Sequence, residues 1–363
     1  YVVRTTGVSD GLQFAEYTAT GYFVPESRNE MLARVDEAFS ESNVIILSKL
    51  FGFGKKSLIR KHVQLNKYSS AVEVQGLGAD LYDFFLNNLQ FTNINEAVFE
   101  KKDEHAVIQT KFEFLKKLDE NHFIIISDVN IEDSCDEFIV ELLKELRCRL
   151  VFVTHTSGDA YRDHFPVIDV ERMESKYLLE LFFHYYDRDS DLDHEPLVPA
   201  LEQFFDSIGG HTKTVEIAAS VLSKEMRADP DELIAYLETG TNDNRALTDR
   251  IFEKLSSLIT LENFQPDVLK TLILISVIAD PSVEISELYN MMHLCGINDR
   301  SAITELDNHR WITYTSYNRS VFIEPIIAQI CISTRLEDYS VPTVVFQQFA
   351  DQYNNIASRD IIT

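Results

Sequence analysis

Uninterrupted apolar runs, rather than alternating ones, mark the first half of the chain. Residues 44–47 (Val-Ile-Ile-Leu) form one short β-branched run, and residues 71–74, 123–126, 150–153 and 166–170 form others at wide spacing. A strand with one wet face alternates apolar and polar residues, whereas a continuous run belongs to a strand covered on both faces. Between these runs, residues 77–89, 106–121 and 135–146 carry apolar positions at helical spacing, and a helix-compatible run over 55–64 follows the first strand. Strands alternating with helices predict an open, doubly wound α/β domain with a parallel five-stranded sheet. From Glu171 the pattern changes to helices alone. These are predicted over 175–186, 196–208 and 212–226, with Gly209-Gly210 as a glycine stop between the last two. Another begins at Asp229-Pro230, with proline early and carboxylates in its first turn. Four more follow at 245–261, 266–279, 285–292 and 298–309. Two alternating segments, starting at Trp311 and Ser320, flank a turn near Tyr317, and helices followed by a hairpin predict a winged helix. A last helix is expected from Tyr339 to the end. The implied division is a linker at 1–20, an α/β domain at 21–170, a helical domain at 171–243, a winged helix at 244–340 and the start of a helical region at 341–363.

Composition narrows the functional classes. A chain of 363 residues exceeds one ordinary core and implies two or three domains. Its net charge of −26 argues against nucleic acid or an anionic membrane as partner, since both need clustered Lys and Arg. The longest basic clusters, Lys55-Lys56 and Arg60-Lys61, lie in one short stretch. Cys135, Cys148, Cys295 and Cys331 are far apart and form no Cys-x-x-Cys pair, so neither a zinc site nor a disulfide framework is expected, and a reducing cytoplasm is. The best apolar run, 269–279, has the length of a buried helix and predicts no membrane span. The start at Tyr1, without Met or signal peptide, reads as a piece of a longer protein.

Candidate chemistry concentrates between Asn43 and Arg60. Behind the first strand come Gly52 and Gly54, then a helix from Lys55. Strand, glycine turn and helix make a phosphate-binding loop, in which backbone N–H groups and the helix N-terminus surround the phosphates and a lysine reaches the terminal ones. Against the pattern G-x-x-x-x-G-K-[ST], Gly54 and Lys55 fit, but Lys49 stands at the first glycine and Lys56 at the Ser/Thr position. The alternative is a buried strand meeting a helix through a structural glycine turn. Phe53, Lys56, Ser57 and Leu58 complete the candidate loop contacts. The third strand ends in Ser127-Asp128. A carboxylate there coordinates Mg²⁺ through water or orients an attacking water, with Ser57 as the hydroxyl partner; the alternative for Asp128 is a turn or helix cap. The fourth strand ends in Thr154-His155-Thr156, hydroxyls and an imidazole where a sensor of the terminal phosphate sits, although His155 also suits an exposed loop. Phe23 either stacks on an adenine ring or packs into the core.

Glycine loop, helical domain and winged helix in this order resemble the NB-ARC part of the STAND class of signal-transduction NTPases, from about Tyr22 to Leu336. Phe23-Val-Pro-Glu-Ser-Arg-Asn-Glu30 resembles that class's opening motif, F-V-G-R-E-x-E. Gly52-Phe-Gly-Lys-Lys-Ser-Leu58 resembles G-x-G-K-T-T-L, and Ile124-Ile-Ile-Ser-Asp128 resembles a strand ending in D-D. Gly209-Gly-His-Thr-Lys-Thr-Val-Glu-Ile217 resembles G-G-x-P-L-A-L-E-L, and Phe322-Ile-Glu-Pro-Ile326 stands where the class often carries a nucleotide-sensing His. The resemblance implies ATP or ADP as ligand, 171–243 as a lid, and added nucleotide contacts at Val24, His211, Thr212 and Glu324. It also implies an upstream effector, a downstream sensor, self-association into oligomers and, by analogy, antiviral defence in a prokaryote. Departures matter equally: Lys56 replaces the Mg²⁺-binding Thr, Ser127 an acidic residue, Thr212 the lid proline, Glu324 the His, and Thr156 a sensor Arg. Phosphoryl transfer depends on positioned Mg²⁺ and charge stabilisation, so slow or absent hydrolysis is expected.

Three functions therefore stay open. The first is a regulatory switch driven by ATP or ADP, in which the nucleotide favours one of two states. The second is a non-hydrolysing scaffold assembled by a protein partner. The third is a winged-helix transcription regulator, against which the acidity counts.

Overall fold

The computed structural model describes residues 2–3, 24–25, 28–49, 52–66, 68, 70–76, 78–91, 99, 102–131, 135–186, 195–225, 230–238, 245–278, 282–315, 320–343, 345 and 347. It contains two compact units, Tyr1–Leu181 and Phe182–Thr363. In the first, a short parallel pairing joins β1 (Val2–Val3) to β4 (Gln90–Phe91), where an irregular linker was expected at the start of the chain. The main sheet has five strands: β2 (Val44–Ser48), β3 (Ser70–Gln75), β5 (His122–Val129), β6 (Arg149–Thr154) and β7 (Val167–Asp169). All neighbours are parallel, in the order β3-β5-β6-β2-β7. The apolar runs have become the strands they predict, and β2 is buried along its whole length.

Alternate residues of each strand feed two separate cores. Ile45, Leu47, Phe123, Ile125, Val151 and Val153 join Val35 and Phe39 of α1 (Arg28–Glu41) and Leu58, Ile59 and Val63 of α2 (Lys55–Asn66). Val44, Ile46, Val72, Val74, Ile124, Ile126 and Phe152 face the other way. There they meet Phe84 and Phe85, which follow α3 (Leu81–Asp83), as well as Phe112 of α4 (Glu104–Leu115) and Ile139 and Leu143 of α5 (Glu137–Lys144). Burying such a side chain stabilises the fold by about 1.5–3 kcal/mol, and a one-residue slip of a strand would send its whole set to the wrong face. The register is thereby fixed, and with it the heights at which the strands end. One polar residue interrupts the α2 face. Glu73 of β3 is paired with Arg60 of α2 through contacts of 2.8 and 2.9 Å, both side chains nearly buried.

Caps adjust the helix limits. Asp103 accepts from the Ala106 N–H and Asp136 from those of Phe138 and Ile139, so α4 and α5 start where these carboxylates satisfy the first-turn donors. The helix expected over 77–89 is interrupted: Gly78 is left-handed (φ +77°), Asp80 caps α3, and a π-helical turn follows at Phe84–Asn88.

Helix α6 (Ser175–Tyr186) spans the boundary between the units. The second unit then contains α7 (Val198–Ser207), α8 (Thr212–Glu225), α9 (Pro230–Glu238), α10 (Leu247–Leu261), α11 (Pro266–Val277), α12 (Ile285–Leu294), α13 (Ser301–Asn308) and α14 (Pro325–Arg335). The expected hairpin is present as β9 (Thr313–Thr315) and β10 (Ser320–Phe322), antiparallel. Two elements were not expected. β8 (Ser282–Glu284) pairs with the outer side of β10, and α14 follows the hairpin directly. Pro325 at the first position of α14 supplies the fixed φ a helix start needs, a signal present in the sequence. The interior includes a charge: Glu262 accepts hydrogen bonds from Trp311 Nε1 and bonds His309 Nδ1, with Lys224 Nζ at 3.7 Å. Most of the helix expected beyond Tyr339 lies outside the described residues. Among those described, no helix is long and apolar enough to cross a membrane.

Candidate phosphate-binding site

The carboxyl ends of β2, β5 and β6 bring the candidate residues together. Because β6 lies between β2 and β5, the segment after Thr154 sits between the glycine turn and Asp128. In open α/β sheets, this edge is where ligands bind. Beyond Ser48 and Lys49, the turn passes through Gly52 (φ +74°) and Gly54 (φ +79°), a backbone region that glycine enters without steric cost. Helix α2 begins immediately at Lys55, and its first-turn bond runs from the Leu58 N–H to the Gly54 carbonyl at 2.9 Å. A helix start behind a glycine turn provides the donors and dipole that favour an anion.

Phe53, between the two glycines, turns its ring inward (1% exposed), with Lys49 Nζ 5.5 Å from the ring centroid. Only its backbone remains with the turn. That backbone is anchored from a distance, since the buried Arg28 guanidinium donates to the Phe53 carbonyl and to the Glu171 carbonyl, both at 3.1 Å. Burial lowers the Arg28 pKa and Glu171 opposes this. This anchoring role is not apparent from the opening motif, where the signal for it is an arginine three residues beyond the apolar Phe23-Val-Pro25 segment.

Lys55 is buried and its Nζ donates to the Lys49 carbonyl, folding the ammonium over the loop. Lys56 is half-buried, and its Nζ lies 2.9 Å from Asp128 Oδ2. Asp128 occupies a bulge in β5, where the register with β6 shifts between Ser127 and Val129, and it has φ +63°. Left-handed backbone in a non-glycine residue stores strain that clusters at functional places, and Asp tolerates it better than most. The bulge is held by its surroundings: the Gly78 N–H donates to the Asp128 carbonyl at 2.6 Å and the Gly76 N–H to the Ser127 carbonyl at 2.5 Å. A Cβ at Gly76 would come within 2.4 Å of Val129 Cγ1, so this approach needs glycine.

His155 Nε2 stands 3.7 Å from Asp128 Oδ1. Burial pushes the His155 pKa down to about 4; Asp128 opposes the shift, and Lys55 and Lys56 add to it. The imidazole is therefore neutral at pH 7. Thr154 is fully buried, with its hydroxyl donating to the Val129 carbonyl at 2.8 Å and meeting Thr156 Oγ1 at 2.7 Å. Ser48 Oγ donates to the Thr156 carbonyl at 2.5 Å and ties the loop strand to the same segment.

Of the remaining candidates, Ser57 lies half-buried in the first turn of α2, and Leu58 points into the core. Val24 is half-buried beside Pro25, whose carbonyl accepts the Arg28 N–H at 3.0 Å. Phe23 lies outside the described residues. His211, Thr212 and Glu324 belong to the second unit. The buried His211 caps α8, its Nδ1 accepting the Thr214 N–H at 3.3 Å, and Thr212 opens that helix. Glu324 precedes α14 at its N-cap position. Away from the turn, Cys135, Glu137 and His164 gather donor atoms within 4.8 Å of one another, a grouping their sequence separation hides. Glu137 is exposed and His164 half-buried, and Glu137 Oε1 lies 3.6 Å from His164 Nε2.

A parallel five-stranded sheet with a glycine turn between an interior strand and a helix defines the P-loop NTPase fold. No family model matches this sequence, and comparison with curated protein sequences finds no match. Among solved structures, the chain is similar to a Signal Transduction ATPase with Numerous Domains (STAND) protein with a tetratricopeptide-repeat sensor from Pyrococcus horikoshii. The TM-score is 0.52 at 12% identity, over 89% of this chain and 44% of that one. This chain thus spans less than half the length of that relative. A Walker-type ATPase of Pyrococcus abyssi aligns with a TM-score of 0.39 at 12% identity, over 84% of this chain and 95% of that one. A point mutant of RuvB from Thermotoga maritima aligns with a TM-score of 0.32 at 16% identity, over 87% and 96%.

Proposed function

We propose that the first unit binds an adenine nucleotide, ATP or ADP, at the Gly52–Gly54 turn, and that the chain is a nucleotide-binding regulatory module of the STAND type. The observation that carries this reading is the junction itself: two left-handed glycines and a lysine at the very start of a buried helix, on the ligand-binding edge of a parallel sheet. Reading the helices after Glu171 as a lid, and the α12, α13 and β8-β10-β9 region as a winged helix, extends it through the element order and the likeness to the Pyrococcus horikoshii protein. Assembly into oligomers and a setting in antiviral defence follow from the resemblance alone. A DNA-reading role is disfavoured because α13 carries Glu305 and Asp307 and no Lys or Arg.

Hydrolysis in this reading is weak or absent. Lys56 replaces the hydroxyl that would face a metal, and Asp128, which would position metal or water, is occupied by that lysine. The same pairing favours a second version, a non-hydrolysing scaffold whose loop holds nucleotide as a structural element. Denaturing the purified chain and identifying the released small molecules tests the nucleotide reading. ADP or ATP approaching one per chain is expected, with the amount sharply reduced in Lys55→Ala. An empty chain that also fails to bind either nucleotide at millimolar concentration would refute it.

A further inference from the structure

We propose that this site takes the free nucleoside polyphosphate rather than its Mg²⁺ complex, with the Lys56 ammonium standing permanently where the divalent ion would act. The inference rests on the nucleotide reading above and specifies the form of its ligand. P-loop folds imply Mg²⁺, which is held through a hydroxyl at the helix start and a carboxylate at a strand end. Here the residue after Lys55 is Lys56, and its Nζ lies 2.9 Å from Asp128 Oδ2, with both side chains largely shielded (18% and 12% exposed). Ser57, the nearest hydroxyl, is one residue further along, about 100° around the helix axis. The residues present therefore do not fit the ion.

Three features make this a substitution rather than a simple loss. The Asp128 carboxylate is positioned by backbone, through the bulge and the Gly78 N–H, so its place does not depend on the lysine. Its partner ammonium is attached to the first turn of α2, the element that meets the phosphates. Lys55 and Lys56 also bring two ammonium groups to the loop against one carboxylate, so that part of a diphosphate's charge is balanced without a dication. A Mg²⁺ ion carried in with the nucleotide would meet the Lys56 ammonium, and like charges at such range repel strongly in a shielded site.

The test is calorimetric titration of the full chain with ADP and with ATP, in EDTA and in excess Mg²⁺. Affinity in EDTA is expected to equal or exceed that in Mg²⁺. Binding at least about tenfold tighter in Mg²⁺ would overturn this inference while leaving the nucleotide reading intact. Absence of binding in both buffers would overturn both. In Lys56→Thr, which frees Asp128 and restores a hydroxyl, the preference should invert to about tenfold or more in favour of Mg²⁺. A correctly folded variant that stayed indifferent to Mg²⁺ would also refute the assignment. The wild-type comparison decides the matter even if that variant fails to fold.

Discussion

The buried pair between Arg60 and Glu73 offers a direct test of how α2, and the loop at its start, is held to the sheet. The two side chains are only 10% and 11% exposed, and the Arg60 guanidinium donates to the Glu73 carboxylate at 2.8–2.9 Å. Truncating Arg60 to Ala strands a carboxylate between β3 and α2, and breaking a buried pair in this way costs about 3–5 kcal/mol. Set against a stability of about 5–15 kcal/mol for a whole domain, this is a large fraction of the total. Replacing both partners by apolar residues, Arg60→Met with Glu73→Leu, removes both desolvation penalties and is expected to recover most of the loss. Urea unfolding followed by far-UV circular dichroism reads the effect. Trp311, the only tryptophan and part of the second unit, supplies an internal control by its emission. The single variant should destabilise the circular dichroism transition while the double variant approaches wild type. If Arg60→Ala were neutral, or the double variant no better than the single, the pair would not be what fixes α2.

Three further outcomes are expected. Gly54→Ala forces a side chain into φ +79°, costing about 1–2 kcal/mol of stability by denaturant titration, and should weaken ADP binding in calorimetry; unchanged affinity would separate the turn from the ligand. His155 has a folded pKa near 4 against an unfolded value near 6.5, so the unfolded chain binds the extra proton. Stability is therefore full above pH 6.5 and falls as the pH drops towards 4, by at most about 3 kcal/mol, and a His155→Gln variant should flatten that slope in pH-dependent melting. Glu262→Ala leaves Trp311 Nε1 and His309 Nδ1 without their buried acceptor and should cost about 2–4 kcal/mol, read as an earlier transition in Trp311 emission.

The α/β sheet was legible because its strands are buried on both sides and so are written as unbroken apolar runs; 44–47, 123–126 and 150–153 need no tertiary information to be recognised. The glycine turn was legible for a related reason, since only glycine makes left-handed backbone inexpensive. What escaped were features created by distance. Lys56 and Asp128 were each singled out, but their pairing joins residues on separate elements, and nothing local to either announces it. Asp128's left-handed bulge depends on the Gly76 and Gly78 N–H groups, which donate to the Ser127 and Asp128 carbonyls, and on the close approach of Val129 to Gly76. The Arg60–Glu73 pair was hidden because a Glu in an otherwise apolar strand reads as a solvent-facing position. β8, three residues long and next to a proline, is too short for periodicity to register, whereas α14 was overlooked despite its N-terminal proline.

The contact between Lys56 and Asp128 also carries an evolutionary expectation. Neither position can drift alone: a hydroxyl at 56 leaves the acid unneutralised, and a neutral residue at 128 leaves the base unmatched. Descendants of this gene should therefore change the two codons together or neither.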